Sequence, residues 1–360
     1  RLLDKGVYIE QFYANTILSE KGYGAILSGI LPALRGTLVW NKEVDLQSFP
    51  HLLKDAGYET LSFNSKLKSN LQKPFQRNGL DHFYSLDMFV GSEDSTFKRG
   101  QYLYEDQVLY KYFFKKLDDI ESEKTKEKGS PPYFGQLITL YNHVAIDAPI
   151  SRRKVYQNPA SLKEKFSNSI HLTDEALRYF FDELAKREYL EDSIIMITGD
   201  HGYPLGNHGI TTTESGIFEE SFRVPLLIVW PDVLAPKRIK PEQGVYSHID
   251  IAPTLIDLLG LKVKSHHFIG QSIFSQREGN SPVLIQPFNG VTVETVLYPY
   301  KYFKNFKTNK EYLYNLKQDP LESQNLISSK VIDLGPFRKA VEKAFLNHYL
   351  ISHNQVWKAH

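Results

Sequence analysis

Asp200 and His201 stand side by side in the sequence TGDHG, at residues 198–202, directly after the apolar run SIIMI. The carboxyl ends of strands are where open α/β sheets build their sites. A carboxylate and an imidazole in that position can ligate one hard or borderline divalent cation, and the flanking glycines let the backbone turn tightly around it. The alternative is a polar turn after a strand, and these residues alone leave both interpretations open.

Ser19 is a candidate nucleophile, because it lies just before the apolar run at residues 23–31. A hydroxyl at a helix N-terminus lies beside unpaired N–H groups, which also favour a bound anion. Coordination to a divalent cation would lower the pKa of this hydroxyl and make it a nucleophile. The alternative is an ordinary N-cap serine. Thr16 is a competing nucleophile, but it is less well placed at the presumed cap.

Two loop histidines are candidate substrate contacts. His208 lies in GNHG, at residues 206–209, and could reach the same pocket as Asp200; the alternative is an exposed loop histidine. His143 follows the predicted strand at residues 133–140, at its C-terminal end. There it could bind a phosphoryl or sulfuryl oxygen or protonate a leaving group, and the alternative is a hydrogen-bonded loop histidine.

Short apolar runs that alternate with helical segments are expected to position these side chains. Strands are predicted at residues 58–63, 133–140, 193–198 and 226–230, and helices at residues 49–56, 168–186 and 253–259. Near-continuous apolar character suits buried strands of a parallel sheet covered on both faces. The pattern predicts an α/β fold with a doubly wound, mostly parallel sheet sandwiched by helices.

The last third of the chain changes character. Strands rich in aromatic residues, separated by turns, are predicted at residues 283–286, 292–297, 300–306 and 311–314, followed by a helix at residues 337–350. We therefore expect a small antiparallel β subdomain packed on the main domain. The predicted organisation is an α/β catalytic domain at residues 1–275, the β subdomain at residues 276–330, and a C-terminal helix and tail at residues 331–360.

The composition limits the classes of function. The chain has 360 residues, 41% hydrophobic and 24% charged, which is normal for a globular protein. Its net charge of +1 offers no basic field, so no nucleic-acid partner is expected. The absence of cysteine excludes disulfides, thiolate metal sites and a cysteine nucleophile. No apolar run reaches the length of about 18 residues that a transmembrane helix needs.

Five segments, in the family's order, resemble the sulfatase branch of the alkaline phosphatase superfamily. They are residues 6–15 (GVYIEQFYAN), 195–209 (IMITGDHGYPLGNHG), 218–230 (FEESFRVPLLIVW), 246–260 (YSHIDIAPTLIDLLG) and 311–326 (EYLYNLKQDPLESQNL). Within that branch the chain most resembles lipoteichoic acid synthase and related phosphoglycerol or phosphoethanolamine transferases. Two segments carry this closer likeness. They are LITLYNH, at residues 137–143, and FYAN, at residues 12–15, which precedes a hydroxyl residue, an acid, a base and a glycine at residues 19–22.

The resemblance assigns a role to each candidate. It implies that Asp200, His201 and Ser19 hold one divalent metal ion, with Ser19 as the nucleophile where those enzymes commonly use threonine. It places His143 in the substrate pocket and makes His208 a further ligand or a phosphate contact. Mn²⁺ or Zn²⁺ is favoured, and Mg²⁺ and Ca²⁺ stay open, with a histidine ligand disfavouring Mg²⁺.

Two departures from the sulfatase pattern favour phosphorus over sulfur. Sulfatases carry Cys or Ser in C/S-x-P-x-R, which is oxidised to formylglycine, whereas residues 19–23 are SEKGY and lack both the proline and the arginine. Sulfatases also place a lysine shortly before the RVP segment to hold sulfate, and no lysine lies between Gly209 and Arg223. The expected activity is metal-dependent phosphotransfer or phosphodiester cleavage through a covalent serine intermediate. A sulfatase is one alternative.

A third departure concerns the start of the chain. The family begins with an apolar strand that ends in an acidic metal ligand, whereas only 18 residues precede Ser19 here. Because a central strand is hard to lose from a parallel sheet, we expect that strand in a preceding segment. The alternative is a catalytically inactive, sulfatase-like binding domain. The resemblance further implies a lipid- or glycan-linked phosphate substrate, and an extracytoplasmic domain that contacts the membrane through a segment outside this sequence.

Overall fold

The structure is a computed structural model. It describes residues 2–34, 47–65, 72–86, 98–99, 103–104, 106–124, 131–143, 148, 152–263, 266–275, 281–329 and 332–353. The strands are β1 Val7–Tyr13, β2 Glu59–Asn64, β3 His82–Ser85, β4 Lys98–Arg99, β5 Leu103–Tyr104, β6 Tyr133–Ile138, β7 Ile195–Thr198, β8 Arg223–Val229, β9 Lys237–Ile239, β10 Tyr246–Ser247, β11 Val283–Gln286, β12 Thr292–Leu297, β13 Tyr300–Asn305 and β14 Glu311–Asn315. The α-helices are α1 Ser19–Ser28, α2 Phe49–Asp55, α3 Gln72–Arg77, α4 Asp106–Lys124, α5 Leu162–Lys186, α6 Glu219–Phe222, α7 Ile251–Leu258 and α8 Gly335–Ser352.

The chain divides into two compact units. The first contains residues 1–49 and 193–360, and the second contains residues 50–192. Each has its own strands and its own helices. The boundaries predicted at residues 275 and 330 stay predictions, because residues 276–280 and 330–331 lie outside the described residues.

The first unit is built on a sheet with the strand order β10-β1-β8-β7, in which β9 also pairs with β1. Strand β1 is central, and Ile9, Phe12 and Tyr13 are fully buried. Strand β8 runs antiparallel to both of its neighbours, although its apolar run suggested a parallel strand. Its apolarity reflects burial, since Leu226 and Ile228 lie in the same core as Ile9, and burial does not fix strand direction.

The second unit contains the parallel sheet β3-β2-β6, and α4 and α5 belong to the same unit. Helix α5 begins earlier than the sequence predicted, because Ser161 caps it and forms a capping box with Glu164. Phe113, Phe114 and Phe180 stack between the two helices. Among the described residues, four of the six strand pairings in the two α/β sheets are parallel, which agrees with the predicted mostly parallel class.

The prediction that β6 and β7 are fully buried is wrong for the described chain. Every residue of β7 is half-buried, and β6 has one buried position among half-buried and exposed ones. Within the described ranges each of them pairs along one edge only, β6 with β2 and β7 with β8. Edge strands keep part of their surface accessible, which explains the difference. The preceding strand that the resemblance implies stays a prediction.

The C-terminal strands form the antiparallel sheet β11-β12-β13-β14 that the sequence predicted. Helix α8 covers this sheet, with Phe337 and Val341 packed against Ile285, Val293 and Tyr302. No helix within the described ranges combines the length and the apolar character needed to cross a membrane.

Candidate active site

Ser19 is the first residue of α1 rather than its cap. Leu18 takes the N-cap position with an extended backbone, φ −106° and ψ 121°, and caps no N–H through its side chain. The ordinary N-cap role for Ser19 is therefore not found. Its hydroxyl instead faces the loop after β7, at the helix end where peptide dipoles favour negative charge.

The side chains of Ser19, Asp200 and His201 converge in the first unit. Ser19 Oγ lies 3.3 Å from His201 Nε2, and Asp200 Oδ2 lies 3.8 Å from the same nitrogen. The other ring nitrogen, His201 Nδ1, lies 2.8 Å from the carbonyl oxygen of Gly202. A proton on Nδ1 satisfies that contact, so the Nε2 lone pair points towards the hydroxyl and the carboxylate.

This arrangement fits a divalent cation. A metal-bound histidine usually donates its second ring N–H to a carbonyl or carboxylate, as His201 does towards Gly202. One imidazole nitrogen with carboxylate and hydroxyl oxygens suits a borderline ion such as Mn²⁺ or Zn²⁺. The described residues contain no group of three or more His, Cys, Asp and Glu side chains that could hold a metal, so Ser19 is the third protein donor that the described chain offers.

Tyr23 is a member of this cluster that the sequence did not single out. Burial, together with the neighbouring Asp200 carboxylate, raises the pKa of Tyr23 well above its usual value, and its side chain also hydrogen-bonds Ser19. Its hydroxyl thus links the candidate nucleophile to a candidate metal ligand. Tyr23 stands where the sulfatase pattern has arginine. This difference was the one feature of the sequence that pointed to Tyr23 as a residue of the site.

A Tyr23→Phe variant is expected to lower kcat about 10- to 100-fold, because a hydrogen bond to a charged group is worth roughly 1.5–3 kcal/mol. The Tyr23 hydroxyl positions Ser19 relative to Asp200, but it is not itself one of the candidate metal ligands. Metal affinity measured by equilibrium dialysis should therefore change much less than kcat. Tyr156→Phe, at an exposed tyrosine of the second unit, is the matched control. Equal kcat values for the two variants would contradict the prediction.

The backbone of the loop that carries Asp200 and His201 is held by two close contacts. A Cβ on Gly22 would lie 2.8 Å from the Asp200 carbonyl oxygen, so only glycine lets α1 approach the loop this closely. His248 Nε2 lies 2.9 Å from the Gly199 carbonyl oxygen. Burial lowers the pKa of His248 to about 4, so the ring is neutral at pH 7 and donates from Nε2. Sequence reasoning missed His248 because its partner is distant along the chain.

Thr16, the competing nucleophile, is fully buried and forms an isolated β-bridge with Ile285. The neighbouring Asn15 is also fully buried and joins three segments. It donates to the Val283 carbonyl at 2.8 Å and accepts from the Ile249 N–H at 3.1 Å. These contacts make the residues before Ser19 part of the core, where a substrate has no access to Thr16.

His208 occupies both of its ring nitrogens with protein acceptors. Nδ1 lies 2.7 Å from Glu220 Oε1, and Nε2 lies 2.7 Å from the carbonyl oxygen of Leu321. The ring also stacks on Phe218 at a centroid distance of 3.7 Å. Contact with a phosphate or a metal would require His208 to leave one of these partners. Its assignment as a further ligand or phosphate contact stays a prediction.

A His208→Gln variant is expected to change how stability depends on pH. Burial favours neutral His208, but the hydrogen bonds to Glu220 and Leu321 outweigh it and raise the pKa of His208 above 6.5. A raised folded-state pKa gives stability that is complete below pH 6.5 and is lost as pH rises through the folded value.

The stability difference between parent and variant should therefore shrink as pH rises above 6.5, measured by urea denaturation between pH 5.5 and 9. Taking the difference removes the other titrating groups that both proteins share. His82→Gln, at an exposed histidine of β3, is the control. A difference that stays constant across this range would contradict the prediction.

His143 lies in the second unit, in an exposed position after β6. Its loop is held firmly, since Asp106 Oδ1 accepts the N–H groups of Leu140 and Tyr141 at 3.1 and 3.2 Å. Ser169 Oγ also donates to the Tyr141 carbonyl at 3.2 Å. A fixed loop suits a substrate contact, and that role stays a prediction from the resemblance.

Comparison with known proteins shows where the chain belongs. A family model described as Sulfatase matches residues 1–261, and one described as N-sulphoglucosamine sulphohydrolase, C-terminal, matches residues 206–343. Lipoteichoic acid synthase 2 of Bacillus subtilis (strain 168) is 26% identical over 290 residues, which are 74% of this chain and 42% of that protein. The chain thus spans less than half the length of this relative.

Two solved structures share the fold. An alkaline phosphatase superfamily protein from Vibrio parahaemolyticus has a TM-score of 0.77 at 20% identity, covering 99% of this chain and 81% of that chain. The lipoteichoic acid synthase LtaP from Listeria monocytogenes has a TM-score of 0.73 at 21% identity, covering 98% and 83%. Because the Sulfatase model matches well over half of the sequence, the chain belongs to the sulfatase family.

Proposed function

We propose that this chain is the catalytic domain of a metal-dependent phosphotransferase or phosphodiesterase that works through a covalent intermediate on Ser19. One observation carries the proposal: Ser19 Oγ lies 3.3 Å from His201 Nε2, beside the Asp200 carboxylate. A hydroxyl at a helix N-terminus, facing an imidazole nitrogen and a carboxylate, is suited to attack an anionic ester.

In the proposed reaction Ser19 Oγ attacks phosphorus in line with the leaving alcohol. The Oγ–P bond forms, the ester bond breaks, and the proton of the serine hydroxyl ends on the departing alcohol. Water or a second alcohol then displaces Ser19 by the reverse steps. A bound divalent cation would lower the pKa of the hydroxyl and stabilise charge on the transferred group. Asp200 and His201 would hold it, together with the Ser19 hydroxyl.

The remaining side chains orient the reacting groups. Tyr23 fixes the Ser19 hydroxyl relative to Asp200, and the first turn of α1 presents N–H groups to the anionic ester. Positioning and electrostatic stabilisation supply most of the catalysis in phosphoryl transfer. His143 is proposed as a contact to the transferred group, and His208 as a second one, both from the resemblance alone.

Phosphorus is favoured over sulfur because the stretch SEKGY offers neither the proline nor the arginine of the formylglycine motif. A sulfatase is the second candidate, since the C-terminal family model that matches residues 206–343 describes an N-sulphoglucosamine sulphohydrolase. An inactive binding domain is the third. The similarity to a lipoteichoic acid synthase supports a lipid- or glycan-linked phosphate as substrate, handled outside the cytoplasm by a membrane-anchored protein.

The test is turnover of bis-p-nitrophenyl phosphate, p-nitrophenyl phosphate and p-nitrophenyl sulfate with Mn²⁺, Zn²⁺, Mg²⁺, Ca²⁺ or a chelator. The protein should include whatever precedes Arg1. We expect diester cleavage that depends on Mn²⁺ or Zn²⁺. An Asp200→Asn variant should lose both this turnover and bound metal, with Asp192→Asn, after α5, as the control. Cleavage of the sulfate alone would establish a sulfatase. If the protein cleaves none of the three substrates and also contains no bound metal, the binding domain is established.

A further inference from the structure

The C-terminal subdomain contains a cavity of about 660 Å³ that the candidate active site does not use. Its walls come from the turn between β11 and β12, the turn between β13 and β14, and α8, together with Leu34. This volume lies within the range of roughly 300–1,000 Å³ that small-molecule sites occupy. None of the side chains that converge on Ser19 lines it.

Most of the wall is apolar, and two of its aromatic rings are accessible. Phe306 and Phe345 are 38% and 37% exposed, and their ring centroids lie 4.4 Å apart in an edge-on pair. Leu34, Pro287 and Val291 complete the apolar lining. Large apolar side chains that remain open to water around a concavity are typical of sites that bind an apolar group.

The polar lining of the cavity is basic. Lys307 and His348 both line it, and among the described residues no carboxylate does. Gly290 makes room for the lysine, because a Cβ at this position would collide with the Lys307 side-chain stem. Lys304 lies nearby, with its ammonium 5.6 Å from the centroid of Phe306 and 4.0 Å from the Glu311 carboxylate. An occupant must therefore be apolar over most of its length and negatively charged at one end.

The backbone at the rim is unusual. Asn289, Gly290 and Val291 all have positive φ, and Val291 is β-branched with φ 58°. Side chains of that shape rarely adopt the left-handed region, and such strain concentrates at ligand-binding segments. The strained turn places Val291 and Gly290 in the cavity wall, beside Lys307.

We propose that this cavity binds a single-chain anionic lipid, with its alkyl chain against Phe306 and Phe345 and its phosphate or carboxylate head on Lys307. Charge complementarity selects this occupant over a neutral chain, and the apolar walls select it over a free anion. The cavity is separate from the ester chemistry at Ser19, so the lipid-binding proposal can be tested independently of the proposed function.

The probe is dodecylphosphonate, which has no ester bond to hydrolyse, titrated calorimetrically into the full protein below its critical micelle concentration. Methylphosphonate supplies the head alone, and dodecyl maltoside supplies a neutral chain. We expect dodecylphosphonate to bind at least tenfold more tightly than either. Decylphosphonate should bind up to about fifteenfold more weakly, because each buried methylene contributes about fourfold.

Paired variants locate the site. Lys307→Gln should weaken dodecylphosphonate binding about fivefold or more, and Phe345→Ala should weaken it further. Lys310→Gln, on the same hairpin, and Leu346→Ala, on the same helix, should leave it unchanged, since neither residue lines the cavity. All four variants should retain the circular dichroism spectrum and the thermal midpoint of the parent, which shows that they are folded.

Three results would overturn the proposal. One is no detectable binding of dodecylphosphonate, and another is equal binding of methylphosphonate, which would mean an anion site only. The third is an equal effect of the control and cavity variants, which would mean adsorption to the surface. Loss of binding in Ser19→Ala would place the ligand at the nucleophile and would equally reject the cavity.

Discussion

A Ser19→Ala variant is expected to lose metal-dependent diester turnover by a factor of about a thousand or more. Removal of a covalent nucleophile is among the most costly single changes in an enzyme, because no other group can form the intermediate. The alternative hydroxyl, Thr16, is fully buried and cannot replace it. The measurement is kcat for bis-p-nitrophenyl phosphate at saturating Mn²⁺ or Zn²⁺.

Two further variants separate chemistry from structure. Ser28→Ala makes the same change at the other end of α1 and should leave kcat within about threefold of the parent. Ser19→Thr keeps a hydroxyl at the site and should retain measurable turnover. Mass spectrometry of the acid-quenched reaction should find the transferred group on Ser19. Turnover that survives in Ser19→Ala would exclude this residue as the nucleophile.

Local patterns predicted much of the fold. The C-terminal strands were predicted almost to the residue, because β-branched and aromatic residues and the turn residues between them are visible in short stretches of sequence. Helix α7 was predicted within two residues at each end by its proline and the following glycine. The pair Asp200 and His201 was predicted to follow a strand, and it follows β7 directly.

Features that depend on distant partners could not be predicted in the same way. An apolar run shows that β8 is buried, but its antiparallel direction depends on β1 and β7, which come from elsewhere in the chain. The contact between Ser19 and His201 spans 182 residues, so the resemblance, not periodicity, brought them together. Tyr23 and His248 were missed because a tyrosine in an apolar run and a histidine before a helix are usually core residues.

A buried charge cluster beside the candidate site also depends on residues that are distant along the chain. Lys301 is fully buried, and its ammonium lies 3.0 Å from Glu322, 3.2 Å from Glu294 and 3.4 Å from Glu219. Glu219 also accepts the Tyr13 hydroxyl at 2.9 Å. The cluster joins β12, β13, α6 and the turn after β14 to the end of β1, which no local pattern indicates.

The cluster holds α6 against the loop that carries Asp200 and His201. Helix α6 contains Glu219, and its Ser221 carbonyl accepts the N–H of Gly202 at 2.9 Å. The backbone N–H of Glu219 donates to Glu322 at 2.6 Å, and the Glu219 carboxylate pairs with the Lys301 ammonium. The cluster thus holds the first residue of α6 through both its backbone and its side chain. Loss of the single cation would leave buried carboxylates uncompensated in the segment that supports His201.

A Lys301→Met variant is expected to lose about 3–5 kcal/mol of stability near pH 8, because removing one partner of a buried ion pair leaves the other charge unpaired. Methionine keeps most of the side-chain volume, so packing changes little. The free energy of unfolding from urea denaturation measures the loss. Lys304→Met, on the same strand but half-exposed and 4.0 Å from Glu311, is the control and should cost no more than about 1 kcal/mol.

The stability loss in Lys301→Met should be smaller at pH 7 than at pH 9.5. Burial raises the pKa of Glu294 to about 8 even with Lys301 present, and without the cation its folded pKa rises further. A carboxyl whose folded pKa is raised above 4.5 contributes stability below pH 4.5 and loses it as pH rises. Parent and variant therefore lose stability in parallel between pH 4.5 and 8. Above pH 8 the variant continues to lose stability, whereas in the folded parent Lys301 lets Glu294 ionise. An equal loss at both pH values would assign the effect to packing and reject the cluster as an electrostatic support of α6.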